Sequence, residues 1–135
     1  MMSDIKDYSK YLPKHHMDNY YIEELKDLTD QEIQPLLKDL LVWVKNMHQA
    51  VSKEVVTVLL PREKLLKDII IELLENERTD SILKYNIIAY LINEFSSESK
   101  KEYQDVLERI ANKPIKWEVY SEVDIIAKKV LETIK

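Results

Sequence analysis

The residues in this sequence best able to do chemistry are three histidines and a set of serines and carboxylates. His15 and His16 are adjacent and precede Asp18, a pattern that raises the question of a metal cluster. Adjacent side chains of an extended segment point apart, so both histidines would rarely reach one ion. Zinc sites favour cysteine and histidine ligands, and the chain has no cysteine and no HExxH or ExxH pattern. We therefore expect a polar loop here, and no metal or other cofactor.

The serines and paired carboxylates offer little for catalysis. A serine hydrolase needs a nucleophile beside an oriented base, but Ser81, Ser99 and Ser121 each stand where a helix is expected to begin. Paired acids such as Glu23 and Asp27 share a helix face that also carries basic residues, which is typical of a solvated surface. We therefore expect that the protein is not an enzyme.

The sequence contains no glycine, although about nine would be expected at average usage. Glycine lets the backbone approach a phosphate closely. The sequence therefore cannot contain the glycine-dependent motifs of phosphate-binding loops, dinucleotide-binding folds or nucleophile elbows. Tight β-hairpin turns also favour glycine, so the composition favours helices. We expect Asn46, Asn76 and Asn112 to take the positive-φ turns.

Composition and charge narrow the choice of partner. Hydrophobic residues make up 45% of the chain, charged residues 33%, and the net charge is −5, a balance typical of globular proteins. Proteins that bind nucleic acids or anionic membranes usually carry a basic patch, whereas the longest basic runs here are Lys100-Lys101 and Lys128-Lys129. We expect neither partner. The lack of cysteine and the polar first residues favour a cytoplasmic protein.

Apolar residues recur at helical spacing in about seven segments, each bounded by residues that cap or break helices. Thr29 with Glu32, and Ser99 with Glu102, have the spacing of a capping box. The expected caps and breaks are, in chain order, Asp18, Thr29, Pro35, Asn46, Pro61, Asn76, Thr79 or Asp80, Ser99, Asn112, Pro114 and Ser121.

Short linkers between these helices predict antiparallel pairs. Each pair occupies roughly 30–45 residues, which is the spacing of α-solenoid units. We therefore predict one all-α domain over residues 1–135, a HEAT-like α-solenoid of about three hairpins with an extra N-terminal helix. Residues 1–17 form a strap before that helix. Four of the eight tyrosines lie in the first 21 residues, either packed on the first hairpin or forming an edge for a partner.

Several segments, taken together and in order, carry a family resemblance. They are Leu12-Pro13-Lys14 with Asp18, Leu40-Leu41-Val42-Trp43 with Asn46-Met47, Asp80 to Tyr85, Leu107-Glu108-Arg109-Ile110-Ala111 with Pro114, and Val123-Asp124 with Ala127. Over about residues 11–134 the chain resembles a bacterial family catalogued as domain of unknown function 5071, a compact HEAT-like helical fold. The resemblance implies a fold but no activity, because the family has no assigned chemistry.

Aromatic residues near the expected helix junctions predict a partner or ligand surface, since aromatic side chains anchor partner proteins and line ligand pockets. The candidate residues are Trp43, Met47, His48, Lys84, Tyr85, Trp117 and Tyr120. Trp117 is expected in an exposed loop.

Two hypotheses for function remain. The preferred one is a protein–protein interaction module whose partner is another protein, including an immunity or antidote role in which this acidic chain masks a basic toxin. Residues 18–45 hold seven acids against three bases, which would steer such a partner. The alternative is a small-molecule-binding regulator or enzyme with a pocket at Trp43, Tyr85 and His48. The sequence does not predict the oligomeric state.

Overall fold

A computed structural model of the protein describes residues 8–134, and over that range the chain is helical and contains no strand. The all-α prediction is therefore confirmed, while residues 1–7 of the predicted strap lie outside the described residues. The α-helices are α1 (Ile22–Asp27), α2 (Asp30–Ile33), α3 (Leu37–Val42), α4 (Ala50–Leu59), α5 (Glu63–Glu75), α6 (Ser81–Tyr90), α7 (Ser97–Lys101), α8 (Gln104–Asn112), α9 (Lys116–Tyr120) and α10 (Val123–Leu131). Short 3₁₀ turns lie at Ser9–Tyr11, Gln34–Leu36, Trp43–Asn46, Leu60–Arg62 and Ile92–Glu94.

Local signals place several helix ends where the sequence predicts them. Thr29 and Glu32 form the expected capping box, each side chain accepting the other's backbone N–H, at 3.1 and 2.9 Å. Asp80 accepts two backbone N–H groups in the first turn of α6, at 2.8 and 3.1 Å. Pro35 interrupts the predicted second helix with a 3₁₀ turn, because proline lacks an N–H. Asp18 does not cap α1; it accepts N–H groups within its own loop.

The start of α7 differs from the predicted capping box of Ser99 and Glu102. Ser96 is the N-cap residue, and its hydroxyl accepts the N–H of Ser99 at 3.2 Å. Ser99 is buried and donates its hydroxyl to Glu63 on α5 at 2.7 Å. Ser96 also donates to Glu63, through its hydroxyl and its N–H. These bonds from Ser96 and Ser99 hold the pKa of Glu63 below its usual value and fasten α7 to α5.

The junction between α9 and α10 also differs from the prediction. Glu122 has a left-handed backbone with φ of 61°, the one positive φ among residues 8–134, so the three asparagines predicted for such turns do not take them. This conformation costs an L-residue about 1–2 kcal/mol, which the packing of the flanking helices must offset. Ser121 does not cap α10; its hydroxyl lies 2.6 Å from that of Ser81.

One apolar core runs through the described chain, and α6 lies centrally in it. Helix α6 packs against α5, α10 and the Trp43–Asn46 turn, while α10 also packs against α8, and α4 against α1 and α3. The buried Asn86 on α6 donates from Nδ2 to the carbonyl oxygens of Val44 and Lys45, at 2.9 and 2.8 Å. The 43–46 turn is thereby fastened to α6.

Four tyrosine rings near the start of the described chain contact one another in sequence. Ring centroids lie 5.8 Å apart for Tyr8 and Tyr11, 4.9 Å for Tyr11 and Tyr21, and 4.7 Å for Tyr20 and Tyr21. The Tyr8 hydroxyl donates to Glu32 on α2 at 2.8 Å. The described part of the predicted strap therefore packs on the first helices.

Candidate functional site

A group of charges centred on the buried carboxylate of Glu118 joins α6, α8 and α9. Lys84 on α6 donates from Nζ to Oε2 of Glu118 on α9 at 2.7 Å, and the two side chains are 1% and 0% exposed. Arg109 on α8 donates to both oxygens of the same carboxylate, at 2.7 and 3.0 Å. The N–H of Ile115 donates to Oε1 at 2.9 Å. We call Lys84, Arg109 and Glu118 the Glu118 cluster; both oxygens of its carboxylate are satisfied.

Electrostatics keep the Glu118 cluster charged. Burial raises the pKa of the Glu118 carboxyl, but hydrogen bonds from Arg109, Lys84 and Ile115 outweigh burial and hold the pKa below its usual value. The Glu118 hydrogen bonds in turn raise the pKa of Arg109, with help from Glu75 at 3.0 Å. An uncompensated buried charge is strongly destabilising. The buried Lys84 and Glu118 therefore depend on each other, whereas Arg109 is 27% exposed and also pairs with Glu75.

Helix α9 presents an apolar face to solvent. It has five residues, and its one buried side chain is that of Glu118. Trp117, Val119 and Tyr120 are 54%, 52% and 78% exposed, and the rings of Trp117 and Tyr120 meet edge to face with centroids 5.9 Å apart. A helix this short is not stable in isolation, so the Glu118 cluster fixes α9 in place. We call Trp117, Val119 and Tyr120 the α9 face.

An open groove of about 760 Å³ lies beside the α9 face. It is lined by Glu75, Asn76, Glu77, Arg78, Ile115, Lys116 and Trp117. A second groove of about 470 Å³ extends past Trp117 along the α5–α6 turn to Ser81. A third, of about 180 Å³, reaches Lys84 and Arg109. Trp117 therefore lines two open grooves, and two members of the Glu118 cluster line the third.

The charges around the first groove are of both signs. The carboxylate of Glu77 and the guanidinium of Arg78 make no hydrogen bond or ion pair with any residue in 8–134. The Nζ of Lys116 lies 5.2 Å from the centroid of the Trp117 ring. The groove therefore combines an aromatic wall with one free carboxylate and two cations that are not engaged in ion pairs.

Residues 11–131 match the family described as Domain of unknown function (DUF5071), a range that includes α1 to α10 and the whole Glu118 cluster. The chain belongs to this family. The resemblance inferred from the sequence is thus confirmed. None of the curated proteins matches the sequence.

Side-chain contacts link three helix connections of this DUF5071 domain, namely residues 43–49, 76–80 and 113–122. Lys45 Nζ lies 3.1 Å from Oδ2 of Asp80, and the Ser81 and Ser121 hydroxyls are in contact. The first connection is thereby tied to the second, and the second to the third. The connection that holds Trp43 is therefore linked to the one that holds Trp117 through residues 80 and 81.

The predicted residues around Trp43 are only partly available to a ligand. Trp43, Met47 and Tyr85 are half-buried and pack against the core, while His48 is exposed. Of the three grooves described above, the first two are lined by Trp117 and none is lined by Trp43. A pocket at Trp43 remains a prediction.

The structure corrects the predictions made for Lys84 and Trp117. Lys84 was expected on a partner surface, but it is buried because its ammonium group pairs with Glu118. Trp117 was expected in a loop, but it lies in α9; it is exposed as expected, and so is Tyr120. The sequence did not single out Arg109 or Glu118 as site residues. The available signal was the position of Glu118 three residues after Ile115, the spacing at which a glutamate caps a helix N-terminus.

The described residues contain neither a metal-binding group nor a helix that could span a membrane. Residues 8–134 contain no group of three or more histidine, aspartate or glutamate side chains placed to hold a metal ion. His15 uses Nδ1 to accept the N–H of Met17 at 3.3 Å. None of the helices in the described part of the chain is long and apolar enough to cross a membrane.

Proposed function

We propose that this DUF5071 domain is a protein–protein interaction module whose contact surface is the α9 face with the adjoining groove. One observation carries this proposal: a buried charge cluster holds a one-turn helix whose other side chains include an exposed tryptophan, valine and tyrosine. Protein interfaces concentrate binding energy in a few aromatic and arginine residues at their centre.

Rigidity of the α9 face supports binding. Association costs free energy when side chains and loops must be ordered. The Glu118 cluster fixes the backbone of α9 before any partner arrives, and the edge-to-face contact restricts the rings of Trp117 and Tyr120. The charges in the cluster are also engaged with one another, which suits a scaffold better than acid–base catalysis.

We also propose that the helices are arranged as a HEAT-like stack of pairs. Helices α5 and α6 form one pair, α8 and α10 another, and each pair is in contact. In such a stack the connections within successive pairs line one edge. Residues 76–80 and 113–122 would then be equivalent connections, and the groove would lie between two neighbouring repeats.

More specifically, we propose that the domain has an immunity or antidote role in the cytoplasm. The net charge of −5 and the excess of acids in residues 18–45 would attract a basic partner protein towards the domain at long range, while the contact itself is made at the α9 face. Screening by salt reduces such steering. Binding of a basic partner at this surface should therefore weaken as ionic strength rises.

Photo-crosslinking tests the proposed contact surface. We expect a photoreactive phenylalanine in place of Tyr120 to crosslink to a discrete protein in cells that express the full chain. The matched control is the same replacement at Tyr20, which is 75% exposed, close to the 78% of Tyr120. Adding Trp117→Ala should reduce the crosslink at position 120 by about 30-fold, the loss expected for a binding hot spot of about 2 kcal/mol.

Two outcomes of this experiment would contradict the proposal. One is crosslinking of equal yield at positions 20 and 120. The other is a crosslink at position 120 that persists unchanged when Trp117→Ala is introduced into a chain that retains its helical circular dichroism spectrum.

A further inference from the structure

We propose that the α9 face binds a second copy of this chain, forming a two-fold symmetric dimer. This inference rests on the proposed function, since it uses the same face, and it names the partner. In a two-fold dimer the same patch of both copies meets. Such a patch must therefore be complementary to itself in shape and in charge.

The centre of the patch meets this requirement through its apolar side chains. Trp117 and Tyr120 carry about 150–250 Å² of side-chain surface each, and at 54% and 78% exposed they offer roughly 200–330 Å² per copy. The Ser81–Ser121 hydrogen bond joins the start of α6 to the end of α9. Ile82 and Ile125, each within four residues of that bond along the chain, are also exposed.

The rim of the patch carries charges of opposite sign. Glu77 is a carboxylate without an ion-pair partner in residues 8–134, and Arg78 is a guanidinium without one; both line the same groove as Lys116 and Trp117. A surface shaped for a strongly basic or strongly acidic partner would carry mainly one sign. A two-fold rotation can instead place Glu77 of one copy opposite Arg78 or Lys116 of the other.

The expected dimer is weak. A stable interface buries about 800 Å² per partner, of which the exposed surface of Trp117 and Tyr120 supplies roughly a third. We therefore expect a dissociation constant on the order of micromolar. Sedimentation velocity of the purified full chain should show the mass rising from 16.1 kDa towards twice that value as the concentration increases to about 200 µM.

Charge reversal provides a specific test. Glu77→Lys makes all three rim charges positive, and the double variant Arg78→Glu with Lys116→Glu makes all three negative. Each variant alone should dimerise about 10-fold or more weakly than the wild type, because like charges then face each other. An equimolar mixture should recover dimers, as heterodimers of the two variants. Tyr20→Ala is the matched control and should dimerise like the wild type.

The results separate this inference from the proposed function. A wild-type chain that stays monomeric at about 200 µM, or a mixture of the two charge variants that fails to associate, overturns the dimer. If the photo-crosslink at position 120 then joins a different protein and depends on Trp117, the proposed function stands without the dimer. If no such crosslink forms either, both fail. Circular dichroism of each variant verifies that the chain is folded.

Discussion

Replacing Glu118 with alanine is expected to lower the free energy of unfolding by about 3–5 kcal/mol. The change leaves Lys84, which is 1% exposed, without its counter-ion and removes both bonds from Arg109 to that carboxylate. It also leaves the N–H of Ile115 without its acceptor. Domains of this kind have total stabilities of about 5–15 kcal/mol, so the loss is a large fraction. Urea denaturation followed by circular dichroism measures it.

Two variants control for this result. Glu108→Ala removes an exposed glutamate of α8, and it should change stability by no more than about 0.5 kcal/mol. Lys84→Met combined with Glu118→Leu removes the buried pair together, and it should recover a large part of the loss because no unpaired ammonium group remains. A Glu118→Ala protein within about 1 kcal/mol of the wild type would contradict the role of the cluster.

The pH dependence of stability gives a second measure of the same cluster. The pKa of Glu118 is lower in the folded protein than its usual value, so its carboxylate stabilises the fold fully above the unfolded-state pKa. That contribution is lost as the pH falls through the folded-state pKa. Glu63 and Asp80, whose pKa values are also lowered, act in the same direction. The Glu118→Ala protein should therefore lose less stability on acidification than the wild type. It should still lose some, because Glu63 and Asp80 remain.

Replacing Asn86 with alanine is expected to lower the free energy of unfolding by about 2–3 kcal/mol. The buried Nδ2 group donates to two carbonyl oxygens of the 43–46 turn, and a buried polar group left without its partner costs about 1–3 kcal/mol. Both carbonyls lose their donor in this variant, and a small cavity forms beside them. Thermal and urea unfolding measure the change.

Asn86→Asp distinguishes hydrogen bonding from packing. It preserves the size of the side chain but replaces a donor with an acceptor that faces two carbonyl oxygens, so it should cost at least as much as Asn86→Ala. Asn93→Ala is the matched control, because the Asn93 side chain makes no hydrogen bond within the described residues. If Asn86→Asp were as stable as the wild type, hydrogen bonding could not be what fastens the turn to α6.

Most of the fold could be predicted because helices leave local signals. The Thr29–Glu32 box, the Asp80 cap and the Pro35 break all act within a few residues of the chain. The failures at Ser99 and Ser121 have one common cause. In each case a hydroxyl group with the correct local spacing binds a residue more than 30 positions away, Glu63 or Ser81.

The candidate site was only half predictable. Trp117 and Tyr120 stood out as aromatic residues beyond a helix stop, and they are exposed. The charged residues that hold α9 in place did not stand out. Glu118 lies between Trp117 and Val119, and a glutamate in such a position is ordinarily interpreted as exposed to solvent. Burial of Glu118 arises from Lys84, 34 residues away, and from Arg109 on another helix. Tertiary pairing of this kind leaves no local spacing pattern.

Hydrogen exchange of the α9 amides tests most directly whether the Glu118 cluster holds this helix rigid. The N–H groups of Val119 and Ser121 bond to the carbonyls of Ile115 and Trp117, at 3.1 and 3.2 Å. We predict that both exchange with an opening free energy of at least about 3 kcal/mol in the wild type, and near the rate of an unstructured peptide in Glu118→Ala under conditions where α6 remains protected. Unprotected α9 amides in the wild-type protein, beside a protected α8, would contradict the account.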